Sequence, residues 1–514
     1  MTTDFLLGID LGTSGCKSVL IDTAGRVVAT ALREYSIHTP RAGWVEQHPA
    51  HWWEGVRSGL AELLAAPGVT ASAIRAVGLS GQMHGLVALD ASREVIRPAI
   101  LWNDQRTHAQ CEAVHAACGG IAGLVKLTNN RMLTGYTGGK VLWLREHEPD
   151  HYARFRHLLN PKDYIRLCLT GELATEVSDA SGTGLFDVEN RRWSKPLLDL
   201  LEISREILPP CVESAGITGT VTVQAAAATG LPAGIPVVGG GGDAVIQTTG
   251  MGIVKPGVLG IILGTGGIVA MGLDRFTPNP DGLLQLFCNN APNLWHAMGV
   301  NLACGSSLRW YRDALCEQQR EQAREQGRDP YEIIMAKAGE SPPGARGLMF
   351  VPYLSGERCP YPDANARGGF IGLGLEHTRS DVTRALVEGV SLNLRDSAEL
   401  IRDLHADIQE IRISGGGAAS PLWRQIVADV FQAPVTTVTG AAEGGAFGAA
   451  LVAGVGTGVW PDIRAAVGVS SRTSETVPEP ANSRCYEDLY GIFRAFYPTL
   501  KPSFQRLAGL PDQA

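Results

Sequence analysis

The sequence predicts an α/β protein built from two related halves. Strands, glycine-rich turns and helices alternate along the chain, an order typical of α/β folds. Residues 258–273 (VLGIILGTGGIVAMGL) repeat the strand, glycine turn, strand plan of residues 6–21 (LLGIDLGTSGCKSVLI), which indicates two copies of one fold. A chain of 514 residues also exceeds the size that one hydrophobic core fills. We therefore expect an N-terminal domain over 1–252 and a C-terminal domain over 253–514, with a ligand-binding cleft between them.

Composition and charge favour a small-molecule partner. Hydrophobic residues make up 45% of the chain and charged residues 19%, as in globular proteins. The formal net charge of -8 argues against binding to nucleic acid or to an anionic membrane. The start of the chain shows no basic segment, long apolar run or cleavage site, so we expect a cytoplasmic protein. The ten cysteines occur singly, without zinc-site spacing, and we expect reduced thiols.

The N-terminal half begins with strands. Residues 5–35 read as three short, mostly apolar strands joined by two hairpin turns. Residues 51–65 follow with apolar residues at helical spacing, namely Trp53, Val56, Leu60 and Leu63. The segments AVGLSGQ and GLVALD then predict strands on either side of the turn at residues 82–84. The predicted order is therefore strands, helix, strand.

The C-terminal half shows the same alternation. A helix over about residues 381–404 precedes the strand EIRIS, the glycine turn at 415–417 and a helix opened by Pro421. Residues 486–507 read as an amphipathic helix that packs back on the body of the protein. The polar segment 317–329 is interpreted as a solvated helical face without a special role.

The two glycine turns of the repeat are candidate phosphate loops. Asp10 ends the first apolar strand and directly precedes the turn at residues 12–15, which contains Thr13. Burying an ionised carboxylate there costs free energy unless backbone N–H groups and a divalent ion stabilise its charge. The alternative interpretation is a structural Asp that is hydrogen-bonded to its own turn. Gly264, Thr265 and Gly266 repeat the turn without the Asp. Two such hairpins are suited to hold the phosphate chain of a nucleotide.

Asp243 is a candidate general base. It follows four glycines, at residues 239–242, that come after the strand GIPVV, and it stands where a helix is expected to begin. An ordinary helix cap is the alternative interpretation. Four glycines exceed what a cap needs, and the missing side chains would let a substrate approach the carboxylate closely. A general base must come within hydrogen-bond reach of the proton that it accepts.

Three further turns are weaker candidates for binding. Gly415-Gly416-Gly417 leads through Ser420 into a helix, the position at which open α/β sheets bind nucleotides. The turns Gln82-Met83-His84 and Trp102-Asn103-Asp104 combine apolar, aromatic and hydrogen-bonding groups. Sugars need an apolar surface and polar partners together, so these turns suggest a polyol site. Taken singly, a His in a turn is more often structural, and a Trp more often belongs to the core.

These motifs together resemble the FGGY family of carbohydrate kinases, and within it the xylulose kinases. The resemblance spans nearly the whole chain and rests on motifs in the family's order: GIDLGTSG, GWVEQHP, GQMHG, PAILWND, PKDYIRLCLTGE, SDASGT, GGGGD, PYLSGER and GGG. Residues 135–147 and 368–388 are similar to the family's two descriptive patterns. The resemblance implies two domains of the actin-like, ribonuclease-H-like fold, an ATP-dependent kinase and direct phosphoryl transfer.

The resemblance also implies roles for single residues. Asp243 would accept the proton of the sugar hydroxyl, and Asp10 would help to hold Mg²⁺ beside the phosphates of ATP. The substrate would be contacted by Met83, His84, Trp102, Asp104 and Arg131. The phosphates would face Thr13, Gly264, Thr265 and Gly266. Ribose and adenine would be surrounded by Gly305, Trp310, Gly416, Gly417 and Ser420.

The implied substrate is a ketopentose, D-xylulose, with 1-deoxy-xylulose, ribulose, gluconate or an alditol as alternatives. This chain has Ala244 after the catalytic Asp, where xylulose kinases usually place Asn or Gln, and Gly267 where a hydroxyl residue is common. An ATPase switch of the actin or Hsp70 kind is the alternative from another class. The resemblance implies no nucleic-acid or membrane partner, and it suggests a homodimer.

Overall fold

A computed structural model of the protein describes residues 4–404 and 406–510. The chain forms two compact units that are not contiguous in sequence. Unit 1 comprises the described residues of 1–255, 272–296 and 439–471. Unit 2 comprises those of 256–271, 297–438 and 472–514. Two segments that lie beyond residue 252 therefore pack in the same unit as the N-terminal half.

The strands are short, and most of them belong to one of two seven-stranded sheets. In chain order they are β1 (Phe5–Leu11), β2 (Gly15–Asp22), β3 (Val27–Glu34), β4 (Glu46–Gln47), β5 (Ile74–Gly81), β6 (Val87–Leu89), β7 (Ala99–Ile100), β8 (His157–Leu159), β9 (Thr175–Glu176), β10 (Phe186–Asp187), β11 (Arg192–Trp193), β12 (Cys211–Val212), β13 (Ile217–Thr220), β14 (Pro236–Val238), β15 (Gly241–Gly242), β16 (Val258–Leu263), β17 (Gly267–Leu273), β18 (Gln285–Cys288), β19 (Trp295–Asn301), β20 (Met349–Val351), β21 (Gly369–Ile371), β22 (Glu410–Ser414), β23 (Val435–Val438) and β24 (Arg472–Thr476).

The helices vary more widely in length. They are α1 (Pro49–Leu64), α2 (His108–Ala117), α3 (Ile121–Thr128), α4 (Thr137–His147), α5 (Pro149–Arg154), α6 (Pro161–Thr170), α7 (Val177–Ser181), α8 (Lys195–Leu200), α9 (Val223–Thr229), α10 (Asp243–Gly250), α11 (Gly305–Leu315), α12 (Glu317–Gln326), α13 (Pro330–Gly339), α14 (Arg379–Arg402), α15 (Pro421–Phe431), α16 (Gly444–Gly456), α17 (Ile463–Val467) and α18 (Pro480–Ala508). Within the described residues, every helix is too short or too polar to cross a lipid bilayer.

The predicted elements of the N-terminal half are confirmed. Strands β1, β2 and β3 form two successive antiparallel hairpins, and α1 and β5 follow as expected. Strand β5 pairs with β1 in parallel, so the sheet of unit 1 is mixed, with the order β13-β14-β5-β1-β2-β3. In this register Asp10 stands beside Lys17 of β2 and Ser80 of β5.

The C-terminal half also has the predicted elements. Strand β16 pairs with β17 in an antiparallel hairpin and with β22 in parallel, which repeats the plan of β1, β2 and β5. Helix α15 begins at Pro421, and the hydroxyl of Ser420 caps it by accepting the N–H of Trp423. The predicted amphipathic helix is α18, which begins earlier than expected, at Pro480. The described cysteines are free thiols, as predicted.

Helix α16 explains why unit 1 includes a segment from the second half of the chain. Its small apolar residues, among them Ala446, Ala449 and Ala450, are fully buried in one core cluster with residues of β1, β2 and β5. A contiguous division of the chain at 252 would separate this helix from the face that it covers. Small residues let the helix approach the sheet closely, and this close approach buries apolar surface on both elements.

Two strand glycines complete this close packing. A Cβ atom at Gly8 of β1 would overlap the carbonyl oxygen of Ala446, and one at Gly78 of β5 would overlap that of Ala449. Backbone atoms of a helix cannot move aside without shifting the whole helix. The two glycines therefore fix how near α16 lies to the sheet.

We predict that Gly8→Ala destabilises the protein by about 3 kcal/mol or more, because the new methyl group overpacks a buried contact with backbone. Gly491→Ala in α18 is the matched control, since a Cβ atom at Gly491 meets nothing within 4 Å. We expect this control to stabilise the protein by about 0.5–1 kcal/mol through helix propensity. Urea unfolding measures both changes, and equal effects of the two substitutions would contradict the packing argument.

Candidate active site

Asp10 lies at the end of β1 in unit 1, as predicted. The Ser80 hydroxyl donates to its Oδ1 atom at 2.6 Å. Burial raises the pKa of Asp10, although the Ser80 hydrogen bond and the charge of Lys17 oppose this. A Cβ atom at Gly445, in the first turn of α16, would lie 2.8 Å from Asp10 Oδ1. The carboxylate therefore lies at the N-terminus of α16, whose dipole favours negative charge.

Asp243 is the first residue of α10. Its Oδ1 atom accepts the N–H of Ala244 at 2.7 Å, and the N–H of Met83 also donates to the carboxylate. Burial, followed by the nearby charge of Asp10, raises the pKa of Asp243 to about 7. The structure thus brings the two predicted carboxylates together. A carboxyl group with a pKa near neutrality is well suited to exchange a proton at physiological pH.

The four glycines before Asp243 pack against atoms of the protein itself. A Cβ atom at Gly240 would overlap the carbonyl oxygen of Leu79, and the φ angle of Gly240 is 74°. A Cβ atom at Gly241 would overlap the Asn290 amide, and one at Gly242 would lie 2.6 Å from Met83. Protein atoms therefore require the missing side chains at these three positions. The glycines let the turn pack against its own unit and so hold Asp243 in place.

The turn at residues 83–84 lies beside this base. His84 adopts a left-handed φ of 70°, and its Nδ1 atom is 2.6 Å from the carbonyl oxygen of Gly182, so Nδ1 carries the proton. The His84 ring stacks on Tyr136 with 4.6 Å between ring centroids. Because Met83 both donates to Asp243 and packs on Gly242, the turn and the base form one continuous surface.

Lys140 supports the same turn and was missed by the sequence reasoning. Its side chain is fully buried, and its Nζ atom donates to the carbonyl oxygens of His84 at 2.7 Å and Gly135 at 2.6 Å. Burial lowers the pKa of Lys140 to about 7. The left-handed residue of the turn is thereby fixed through its carbonyl group. The available signal was a lysine directly before the apolar run VLWL of residues 141–144.

Side chains of unit 1 hold the backbone of the first glycine turn, at residues 12–15. The Tyr35 hydroxyl donates to the carbonyl of Gly12 at 2.6 Å, and the Gln47 amide donates to the carbonyl of Thr13 at 2.7 Å. The Thr13 hydroxyl accepts the indole N–H of Trp102 at 2.9 Å. These bonds fix the carbonyls of the turn within the protein. The structure therefore brings this turn into direct contact with Trp102, the predicted substrate residue.

Two predicted substrate residues have structural partners. Asp104 is fully buried, and its oxygens accept the Val45 N–H at 2.6 Å and two guanidinium N–H groups of Arg106 at 2.9 and 2.7 Å. Its carboxylate is saturated and has no exposed surface for a sugar. Arg131 donates through Nε and a terminal nitrogen to the carbonyl oxygen of Asp281 at 2.8 and 2.5 Å. Both interactions anchor loops of unit 1.

Unit 2 contains a cavity of about 1020 Å³ at its glycine turns. Its walls include six of the residues predicted for nucleotide binding: Gly264, Thr265, Gly305, Gly416, Gly417 and Ser420. Gly266 and Trp310 are not among the lining residues. A Cβ atom at Gly266 would lie 2.8 Å from the carbonyl oxygen of Asn301, and Trp310 lies parallel to Phe350 with 6.5 Å between centroids.

The other wall of the cavity was not predicted. Tyr331 and Met335 of α13 line it, together with Arg328 and Asp329 at the end of a segment interpreted as a solvated face. The second glycine hairpin is joined to the start of α11, because Gly264 and Thr265 accept N–H groups of residues 304–306 at 2.8 to 3.1 Å. Sequence patterns of single helices carry no signal for which face borders a cavity.

A magnesium ion fits the carboxylates of unit 1. The described residues contain no group of three or more His, Cys, Asp or Glu side chains placed to hold a metal. Magnesium does not need such a cage, since it usually binds one or two carboxylates together with substrate phosphates and waters. Asp10 and Asp243 are two like charges in a largely buried place, and burial raises the pKa of each. A divalent cation would offset this repulsion.

Family models match both halves of the chain. The N-terminal domain model of the FGGY family of carbohydrate kinases matches residues 5–250, and the C-terminal domain model matches residues 259–457. The chain belongs to the FGGY family of carbohydrate kinases. The prediction of an ATP-dependent sugar kinase with the two-domain fold of this family is therefore confirmed. Membership rules against the ATPase switch that the sequence left open.

Relatives of similar length support the same assignment. The chain is 35% identical to the xylulose kinase of Staphylococcus epidermidis over 98% of both proteins, and 34% identical to that of Escherichia coli over 96% of this chain and 99% of the other. A solved xyloylose kinase from Brucella ovis is 36% identical, covers 97% of this chain and 99% of its own, and superposes with a TM-score of 0.88. A gluconate kinase from Lactobacillus acidophilus is 25% identical, with a TM-score of 0.91 and coverage of 98% and 100%.

We predict that the sugar-dependent rate rises with pH and levels off above about 7, because Asp243 can accept a proton only as the carboxylate and its pKa is about 7. The pH dependence of kcat/KM, measured with both substrates below saturation, reports the pKa of Asp243 in the free enzyme. Asp10→Asn removes the neighbouring charge and should move the rising limb to lower pH. A profile that stays flat from about pH 5.5 to about 8.5 would contradict the assignment of the base.

Proposed function

We propose that the protein transfers the γ-phosphoryl group of ATP to D-xylulose and forms D-xylulose 5-phosphate. The observation that carries the proposal is the pairing of Asp243 with Asp10 beside the turn at residues 83–84. The many xylulose kinases at about 35% identity support the choice of a ketopentose. The apolar and polar groups around this turn suit the C–H and O–H surfaces of a sugar.

The proposed reaction is a direct displacement. The hydroxyl oxygen of the sugar attacks the γ-phosphorus, the bond from the γ-phosphorus to the β,γ-bridging oxygen breaks, and ADP leaves. The hydroxyl proton passes to the carboxylate of Asp243, whose orientation is fixed by the N–H groups of Ala244 and Met83. Catalysis then consists mainly of positioning and of charge stabilisation, as is general for phosphoryl transfer.

Asp10 is proposed to hold Mg²⁺ together with the phosphates of ATP. Bound Mg²⁺ would neutralise charge on the β- and γ-phosphates during transfer. The backbone of the turn that contains Thr13 is proposed to face the same phosphates. The carbonyl groups of this turn already accept hydrogen bonds from Tyr35 and Gln47, so they are held within the protein. Adenosine is proposed to occupy the cavity of unit 2, whose wall is open at Gly416, where a Cβ atom would meet nothing within 4 Å.

Ala244 favours a second candidate substrate. Its methyl group offers no hydrogen bond at the position where xylulose kinases usually have an amide side chain. A sugar hydroxyl that has no partner loses about 0.5–1.5 kcal/mol of binding relative to one that is paired. A ketopentose without that hydroxyl, such as 1-deoxy-xylulose, would lose nothing. We therefore propose that the enzyme discriminates weakly between xylulose and 1-deoxy-xylulose.

Asp243→Ala tests the base directly. We expect sugar-dependent ADP release to fall by at least about 100-fold, because general-base catalysis typically contributes that much or more. ATP binding should remain measurable by calorimetry, since Asp243 contributes nothing to the cavity of unit 2. Sugar-dependent turnover near the wild-type rate in this variant would reject the role of Asp243.

A coupled ADP assay across xylulose, 1-deoxy-xylulose, ribulose, gluconate and alditols tests the substrate. We expect similar kcat/KM values for xylulose and 1-deoxy-xylulose. The variant Ala244→Asn should raise the preference for xylulose by about threefold to tenfold, which corresponds to one restored hydrogen bond. A strong preference of the wild-type enzyme for xylulose would contradict the role of Ala244, and ADP release that no sugar stimulates would contradict the function as a whole.

A further inference from the structure

A cluster of buried charges lies beneath the glycine turn that precedes Asp243. Lys162, Asp163, Arg166, Glu176 and Asp179 all have side chains with no exposed surface. The Lys162 ammonium lies 2.7 Å from Asp163 and 3.0 Å from Asp179. Arg166 lies 3.1 Å from Asp163. Such a cluster is expensive to bury, and replacing it with apolar residues often stabilises a protein, so stability alone does not explain it.

The cluster holds the backbone of the turn at its first residues. Arg166 donates to the carbonyl oxygen of Gly239 at 2.6 Å and to that of Val238 at 3.3 Å. Asn290, which is also buried, donates to the hydroxyls of Ser178 at 3.2 Å and Ser214 at 3.0 Å. The turn is therefore bonded to charged and polar groups along one side.

Glu176 and Ser178 extend this support to the residue next to the base. Glu176 Oε1 accepts the Ser178 hydroxyl proton at 2.7 Å. The Ser178 oxygen in turn accepts the N–H of Gly242 at 3.0 Å. A carboxylate can only accept, so Glu176 fixes the direction of the hydroxyl and leaves the lone pairs of Ser178 for Gly242. Gly242 is the N-cap of α10 and directly precedes Asp243.

We propose that Glu176 and Ser178 are positioning residues that hold Asp243 at the distance and angle needed to accept the proton of the sugar. The proposal rests on the proposed role of Asp243 as the base. Neither residue contacts the carboxylate of Asp243 directly; they act through the N–H of Gly242. Displacements of about 1 Å at a reacting group are enough to lower a rate by up to about 100-fold.

Ser178→Ala removes the acceptor for the Gly242 N–H. We expect kcat for sugar phosphorylation to fall by about tenfold. The KM for ATP should stay within about twofold of wild type, because unit 2 and its cavity are untouched. Ser178→Thr, which keeps the hydroxyl, should restore most of kcat. Glu176→Gln, which keeps the shape and removes the charge, should lower kcat in the same direction.

Thr229→Val is the matched control. The Thr229 hydroxyl is also buried in unit 1, and among the described residues it bonds to the carbonyl of Ala225 in its own helix and to the N–H of Leu231. We expect this variant to lower Tm by a few degrees, as Ser178→Ala does, and to keep the wild-type kcat. A double variant decides whether Ser178 acts through the base: in the Asp243→Ala background, Ser178→Ala should not lower the residual turnover further.

Four outcomes would overturn the proposal. Ser178→Ala with an unchanged kcat and a lowered Tm would make the pair purely structural, and so would equal losses of kcat in Ser178→Ala and Thr229→Val. An additive loss in the Asp243→Ala background would show that Ser178 does not act through the base. If Ser178→Ala does not fold, Glu176→Gln carries the test, and a wild-type kcat in that variant would overturn the proposal. Failure of the proposed function is distinct, because the wild-type enzyme itself would then show no sugar-dependent ADP release.

Discussion

Two carboxylates of like charge, Asp10 and Asp243, lie near each other in a largely buried part of unit 1, and much of that unit compensates the cost. Burial raises the pKa of both groups, and the charge of Asp10 raises that of Asp243 further. Ser80, the backbone N–H groups at Asp243 and the N-termini of α10 and α16 stabilise the negative charge. A divalent cation beside the two carboxylates would offset the repulsion that remains.

Close packing keeps these charges in place. Helix α16 reaches Asp10 only because Gly8, Gly78 and Gly445 have no side chains that would hold it away. The turn before Asp243 is likewise pressed against Leu79, Met83 and Asn290. A turn so tightly packed cannot shift without moving several elements together. Precise placement of Asp243 therefore follows from the glycines and from the buried cluster beneath them.

Sequence reasoning was most informative where local pattern and chemistry coincide. Asp10 and Asp243 each follow an apolar strand and adjoin glycines, a combination that is unusual and that the structure brings together. Sequence reasoning was less successful at Asp104, whose motif suggested a contact with the sugar. In the structure, Arg106 donates hydrogen bonds to both carboxylate oxygens of Asp104. The presence of a polar residue in a turn does not reveal whether neighbouring side chains have already satisfied it.

The sequence by itself determined the α/β class, the duplicated hairpin, the order of strands and helices, and the family. These depend on periodicity and on turn residues, which act between near neighbours in the chain. Only the tertiary structure decided that α16 joins unit 1, that Lys140 fixes the turn at His84, and that the Ser178 hydroxyl accepts the N–H of Gly242. Each of these links residues far apart in sequence, and the shape and spacing of packed elements, not a local pattern, determine which distant groups meet.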